Sequence, residues 1–271
     1  MDANWMITAF VMIDTLMETL EHTSDVRAQV PDSEIVLIAV VAAKYFGNHH
    51  ERAVQVLTGC RSLSGTISVS RFNRRLHALA DWVELLARTL GEVFAHGAVF
   101  VIDSLPMPVC RRVRARRCRK VRGRAYCGYC AAKKEKFFGW RLHLICTPNG
   151  IPVSFQVAPA GFHDLTPIHE LAYDLPTEAR VFGDKGYNAA DEEARMLADT
   201  GVRLIPVRKA NMQPHAWFVD EIELREYRHT IETVNSQLEK MGIERLYTRT
   251  NTGFDLKVHA SLIALTCTNM N

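Results

Sequence analysis

The chain has no apolar run long enough to cross a membrane. The longest candidate, Ile35–Ala43, has the length of a core helix and falls short of the ~18 residues a span requires. The first residues, Met1-Asp2-Ala3-Asn4-Trp5, lack the basic opening of an export signal. There is no internal repeat and no low-complexity linker. These absences argue against membrane and secreted classes. A length of 271 residues, 48% apolar and 23% charged, suits one large soluble globular domain or two ordinary ones. The seven cysteines are odd in number, and without an export signal they are expected as reduced thiols. A last absence is local. From Arg111 to Arg124 there is no acidic residue, while nine of the fourteen residues are Arg or Lys.

That stretch dominates what is present. Residues 111–136 carry twelve Arg or Lys against Glu135 alone, a local charge of +11 in a chain that totals +3, so the rest of the chain sums to −8. A positive field held in one segment points to a polyanionic partner there; a solvated basic loop is the alternative. Just upstream, Ala98–Ile102 is a short β-branched and aromatic run that reads as a buried strand ending in Asp103. A buried carboxylate must be hydrogen-bonded or bound to a cation. A carboxylate beside a dense cationic segment suggests a metal site next to a polyanion. Cys127 and Cys130 have zinc-knuckle spacing, and Cys110 and Cys118 could complete four thiolates. The gap from Cys110 to Cys118 is wider than paired zinc ligands usually show, which favours structural or redox-silent cysteines.

Residues 1–95 read as helical. Pro31-Asp32-Ser33 starts a helix, Glu34 to Phe46 continues it, and Gly47 stops it; the run is apolar nearly all round, so burial is expected. His49 to Leu57 follows as a short helix, with His49 and His50 read as surface residues. Ser68 or Ser70 can cap the next helix, where Phe72, Leu76 and Leu79 share one face and Arg71, Arg74 and Arg75 point outward. That helix reads equally as the second helix of a helix-turn-helix or as an ordinary amphipathic helix. Asp81 to Phe94 completes the set, and near His96-Gly97 the period changes from helix to strand.

From Ala98 the pattern is α/β. The strand into Asp103 is followed by the basic segment, then by strand candidates Phe137–Thr147 and Ile151–Val157 around the turn Pro148-Asn149-Gly150. A short helix spans Pro167 to Asp174, with Asp164 read as its N-cap. Arg180–Asp184 is a strand ending in Asp, Asn188 caps a helix through Asp199, Val202–Val207 is a strand, and a long helix covers about Asp220 to Met241. Three strands as a meander, then alternating helices and strands, is the order of an RNase H-like domain. In that topology the first and fourth strands are neighbours, which sets Asp103 beside Asp184. The expected division is a helical domain at 1–97, for DNA binding or dimerisation, and a catalytic domain at 98–271 with a basic Arg/Cys-rich segment at 105–136.

Two aspartates need a third acid for a two-metal site. The long helix has an apolar stripe of Tyr227, Ile231, Val234, Leu238 and Met241, and a polar one of Arg225, Arg228, Glu232, Asn235 and Glu239. Glu232 lies mid-helix at the edge of the packing face; Glu226 and Glu239 compete with it.

Ile102-Asp103-Ser104, Gly183-Asp184-Lys185-Gly186-Tyr187 and Arg228-x3-Glu232 resemble the three signature regions of bacterial insertion-sequence DDE transposases. The Cys110–Lys120 string, Tyr126-Cys127-Gly128-Tyr129-Cys130 and Phe138-Gly139-Trp140-Arg141-Leu142-His143-Leu144 resemble the insertion-sequence family numbered nine-eighty-two, as does Ser70–His77. The likeness spans nearly the whole chain. Related groups carry a tyrosine three residues before Arg228 and a lysine seven after Glu232; here those positions are Arg225 and Glu239. The departure bears on a helix lysine that would position DNA, not on the three acids.

The resemblance implies a magnesium-dependent enzyme, with manganese as a substitute, in which Asp103, Asp184 and Glu232 hold two metal ions for in-line phosphoryl displacement. Water first frees a 3′-hydroxyl at a transposon end, and that hydroxyl then attacks target DNA. Double-stranded DNA, both terminal inverted repeats and target, is the implied partner. Two ends must be held together, so a homodimer is expected, in the cytoplasm and associated with the nucleoid. Backbone phosphates would be held by Arg111, Arg112, Arg114, Arg116, Arg117, Arg119, Lys120, Arg122, Arg124, Lys133 and Lys134, with Lys185 and Arg228 nearer the acids. The candidates for base contacts are Arg71, Arg74 and Arg75. An RNase H-like nuclease that cuts without joining, and a non-catalytic DNA-binding protein on the same fold, are the alternatives.

Overall fold

The computed structural model describes residues 1–131, 133–208 and 218–270, with the backbone alone at 218–221 and 225. The chain divides into two units, Met1–Thr89 with Gln237–Asn271, and Leu90–Ser236. Among the described residues no helix is long and apolar enough to cross a membrane.

The first unit is helical. Helix α1 (Ala3–Thr19) starts where the Asp2 carboxylate accepts from the Asn4 amide at 2.9 Å. Helix α2 (Asp32–Phe46) is buried throughout Ile35–Ala43, as its all-round apolar pattern requires, and stops at Gly47 in the left-handed region, φ 53°. Helices α3 (His50–Gly59), α4 (Val69–Ala78) and α5 (Ala80–Phe94) follow. Ser68 caps α4 by accepting from the Arg71 amide. His50 is not the surface residue expected. Its ring packs edge-on against Phe72 at 5.5 Å, and burial, with Lys257, His77 and His49 nearby, pushes its pKa down to about 3.

A helix that periodicity does not announce closes the unit. Helix α9 (Asn251–Asn269) begins at Thr250, which accepts from the Gly253 amide, and packs against α2. Nearly every residue from Phe254 to Cys267 is buried, so no polar face marks its period. Residues 98–236 of the stretch expected to be catalytic lie in the second unit, while Gln237–Asn271 pack with the N-terminal helices.

The second unit is a mixed α/β layer. Its strands are β1 (Val99–Arg111), β2 (Cys127–Cys130), β3 (Glu135–Cys146), β4 (Pro152–Pro159), β5 (Arg180–Gly183) and β6 (Arg203–Pro206), with helices α6 (Ile168–Ala172), α7 (Ala190–Thr200) and most of α8 (Phe218–Lys240). The sheet order is β2–β3–β1–β5–β6, and β4 also pairs with β3. Pairing is antiparallel for β1/β3, β2/β3 and β3/β4, and parallel for β1/β5 and β5/β6. One face of the sheet buries Phe100, Ile102, Ile145 and Val181 with Ile168, Leu171 and Met196.

Two expectations change here. Strand β1 does not stop at Asp103 but runs on to Arg111, because Leu105 and Met107 keep the alternate burial and β3 pairs with it throughout. The basic segment therefore starts inside a strand and contains a further strand, β2. Pro106 and Pro108 are tolerated in β1 because β5 pairs only with Val99–Ile102, leaving the rest of that edge open.

Candidate active site

The parallel register of β1 and β5 fixes the acidic pair. Ile102 is opposite Gly183, so Asp103 and Asp184 are the next residues on neighbouring strands. Asp103 sits where the β5-side edge of β1 becomes unpaired. Asp184 follows β5 and caps the short turn Lys185–Tyr187, its Oδ1 accepting from the Gly186 amide at 2.7 Å. Asp103 Oδ1 accepts from the Ser104 amide at 2.7 Å, and Oδ2 from Asn235 Nδ2 at 2.6 Å. Burial pushes the Asp103 pKa up to about 6; those two hydrogen bonds oppose the shift, and the charges of Asp184 and Asp164 add to it. Its donors are neutral amides, and among the described residues neither aspartate has an ion pair.

Helix α8 is fastened along this pair. Arg180 grips Glu223 through both terminal nitrogens at 2.5 and 3.1 Å. The rings of Phe182 and Tyr227 lie 5.4 Å apart, the Thr230 hydroxyl donates to the Pro148 carbonyl at 2.9 Å, and Asn235 reaches Asp103. These contacts leave a cleft of about 330 Å³ lined by Asp103, Asp184, Lys185, Arg228 and Glu232. All three expected acids thus face one cleft. Glu232 is the outlying one: its side chain is 65% exposed and lies 3.3 Å from Arg228 Nε. Among the described residues, no three His, Cys, Asp or Glu side chains converge closely enough to hold a metal. The α8 residue that touches an aspartate is Asn235. It stands on the polar stripe one turn beyond Glu232, but an amide carries no charge to single it out.

Other expectations shift. Asp164 does not cap α6, which begins after Pro167 without a side-chain cap; it lies 3.7 Å from Arg141. Asn188 does not cap α7 either. Its amide donates to the carbonyls of Lys185 and Val207 and ties the Asp184 turn to the end of β6. The zinc arrangement is not formed. Cys110 and Cys127 are both opposite Phe138 but on either side of β3, and Cys127 and Cys130 are three apart on a strand, so they point to opposite faces.

The cationic candidates divide by what they touch. Arg111, Arg112, Arg114, Arg116, Arg117, Arg119, Arg122, Arg124, Lys133, Lys134 and Lys185 are exposed, and Lys120 is half-buried. Arg111 comes no closer than 3.9 Å to Glu135. Arg228 is exposed beside Glu232. On α4, Arg71 and Arg74 are exposed, but Arg75 turns inward to the Asp32 carboxylate and the Val30 carbonyl, both at 2.5 Å. Arg75 is a structural tie, because a guanidinium held by a carboxylate and a carbonyl is not available to bases. The side chain of Arg225 lies outside the described residues.

A mixed sheet that sets two aspartates on adjacent strands, over an acidic cleft closed by a long helix, defines a carboxylate-bearing α/β domain. The family model described as Transposase DDE domain matches residues 95–250. That is more than half of the chain, and the chain belongs to this family. No curated protein and no solved structure matches it. By family the protein is a transposase, which acts on DNA, and such domains use divalent metal ions. The cleft fits one in part: Asp103 is a half-buried carboxylate with a second one beside it, and among the described residues neither has an ion pair, so a divalent cation would neutralise the two.

Proposed function

We propose that the protein is the transposase of an insertion sequence of the nine-eighty-two family, cutting element ends and joining them to target DNA on an RNase H-like catalytic domain. The observation that carries the reading is the β1/β5 register, which makes Asp103 and Asp184 neighbours from distant points in the sequence. Glu232, on the same cleft, completes the acid set when its side chain turns in from Arg228. Bound magnesium, or manganese, would activate the attacking oxygen and stabilise the leaving one.

The chain's own groups do the rest. Ser104 and Asn235 hold the two oxygens of Asp103 so that the carboxylate cannot rotate away. Gly186 holds Asp184 through its amide. Once Glu232 turns, Arg228 is released toward the scissile phosphate, and Lys185 meets the adjoining backbone. The exposed arginines of 111–124, with Lys133 and Lys134, hold DNA by phosphate contacts, and Arg71 and Arg74 read bases. One site serves cutting and joining because only the nucleophile changes, from water to a 3′-hydroxyl. Two ends require two active sites held together, hence a homodimer in the bacterial cytoplasm.

The test is joining of a pre-cleaved element end to plasmid DNA with magnesium. Joined product is expected from the wild type and not from Asp184→Asn. Cleavage without any joined product would instead make the protein a nuclease, and salt-sensitive binding without turnover would make it a binding protein.

A further inference from the structure

Next to Asp184 lies a set of buried polar groups that the catalytic cleft does not use. Asp164, in the turn after β4, ends beside Gly186. A Cβ placed on that glycine would be 2.9 Å from Asp184 Oδ1 and 3.1 Å from Asp164 Oδ2, so the two carboxylates face one point. The other oxygen of Asp164, Oδ1, is buried without a hydrogen-bond partner, and Arg141 stops 3.7 Å from it. His143 is 0% exposed, neither ring nitrogen is bonded, and the charged groups that act on it are Asp164 and Arg141. The Tyr187 hydroxyl is also buried without a partner; Ser104 is close by but outside hydrogen-bond geometry. Asp103, Asp164 and Asp184 all act electrostatically on that tyrosine.

Leaving a buried donor or acceptor unmatched costs about 1–3 kcal/mol. Several in one place mark a site built around something else. The two carboxylates that face one point give that species a positive charge, and their hard oxygens suit a divalent cation of the magnesium or manganese kind.

We propose that Asp164 is a further cation-holding carboxylate beside the catalytic cleft, facing Asp184 at Gly186, with His143 as the positioning residue behind it. The inference rests on the metal-dependent reading of the protein as a transposase. A cation held by Asp184 and Asp164 would draw on Asp164 Oδ2, leaving Oδ1, which has no hydrogen-bond partner, to accept from the His143 ring. A side chain at Gly186 would crowd both carboxylates and push them from this point.

The experiment is Mn²⁺ binding to the full-length protein, read from the loss of the free-ion EPR signal, with DNA binding in EDTA as the check on an intact fold. Wild type binds, and Asp103→Asn binds more weakly. Asp164→Asn weakens Mn²⁺ at least as much as the ~10–100-fold expected on removing an outer-sphere partner, and Asp164→Glu restores part of it. Gly186→Ala, which removes no carboxylate but crowds Asp164 and Asp184 out of position, weakens Mn²⁺ as well. Asp164→Cys cleaves end DNA with Mn²⁺ but not with Mg²⁺, a switch that a purely structural Asp164 would not produce. Wild-type affinity in Asp164→Asn or Gly186→Ala, with Asp103→Asn impaired, would overturn the role of Asp164 and leave the metal-dependent reading standing. Absence of Mn²⁺ binding in every form would overturn that reading and this inference together.

Discussion

Asp103 is where the chain gives up stability for a charge. Its pKa is raised from the usual carboxylate value to about 6, chiefly by burial. A raised carboxyl pKa means the fold prefers the protonated form, so that contribution is present below about pH 4 and lost as pH rises through 6. In metal-free protein at pH 7, Asp103→Asn is expected to raise stability by roughly 1–3 kcal/mol, with Asn235 flipping its amide to keep the hydrogen bond. Urea unfolding at pH 7 and pH 4 checks this: the gain should vanish at the lower pH, and a loss at pH 7 would contradict it. At this scale the sequence is most informative where a charged residue closes an apolar run, as at Asp103 and Asp184. It is least informative for neutral or locally plausible groups. Asn235 reads as one more polar position, and Asp164 reads as a cap because it precedes a helix.

Among the elements, α4 separates two roles that its sequence merges. Arg71, Arg74 and Arg75 all lie on its basic side, yet only Arg75 reaches inward, to Asp32 and Val30. Arg75→Ala is therefore expected to cost roughly 1–3 kcal/mol of stability, the range for a hydrogen-bonded charged group. Arg71→Ala and Arg74→Ala should leave the thermal midpoint in place and weaken binding to end DNA. Paired thermal-melt and DNA-titration measurements decide it, and an unchanged midpoint in Arg75→Ala would remove the structural role. The strands and helices with a clear period are readable from the residues alone: α2, the β3/β4 hairpin, β5 and the apolar stripe of α8. Strand β1 runs past its expected end because two prolines disguise a continuing alternation. Helix α9 is hidden because a helix buried on all sides has no polar face to reveal its period.

Across the whole molecule, positive charge is concentrated in one stretch of sequence, Arg111 to Arg124. The exposed arginines from Arg111 to Arg124 make DNA binding an ion-release process, so affinity should fall steeply with salt. Replacing Arg112, Arg114, Arg116 and Arg117 with alanine should flatten the log–log salt slope by about one for each phosphate left unneutralised. Titrations across a salt series measure it, and an unchanged slope would return that segment to an ordinary solvated loop. The acids are a separate matter, because they are joined only by folding. The first and fourth expected strands are indeed neighbours, which is how a register rather than a motif brings Asp103 to Asp184. The most direct measurement is single-turnover cleavage of the element's end DNA with magnesium, comparing wild type, Asp103→Asn and Asp184→Asn, with binding measured alongside. Cleavage confined to the wild type, with all three proteins binding DNA equally, is the expected result. Unimpaired cleavage by either variant would contradict the assignment of this acidic pair as the catalytic site.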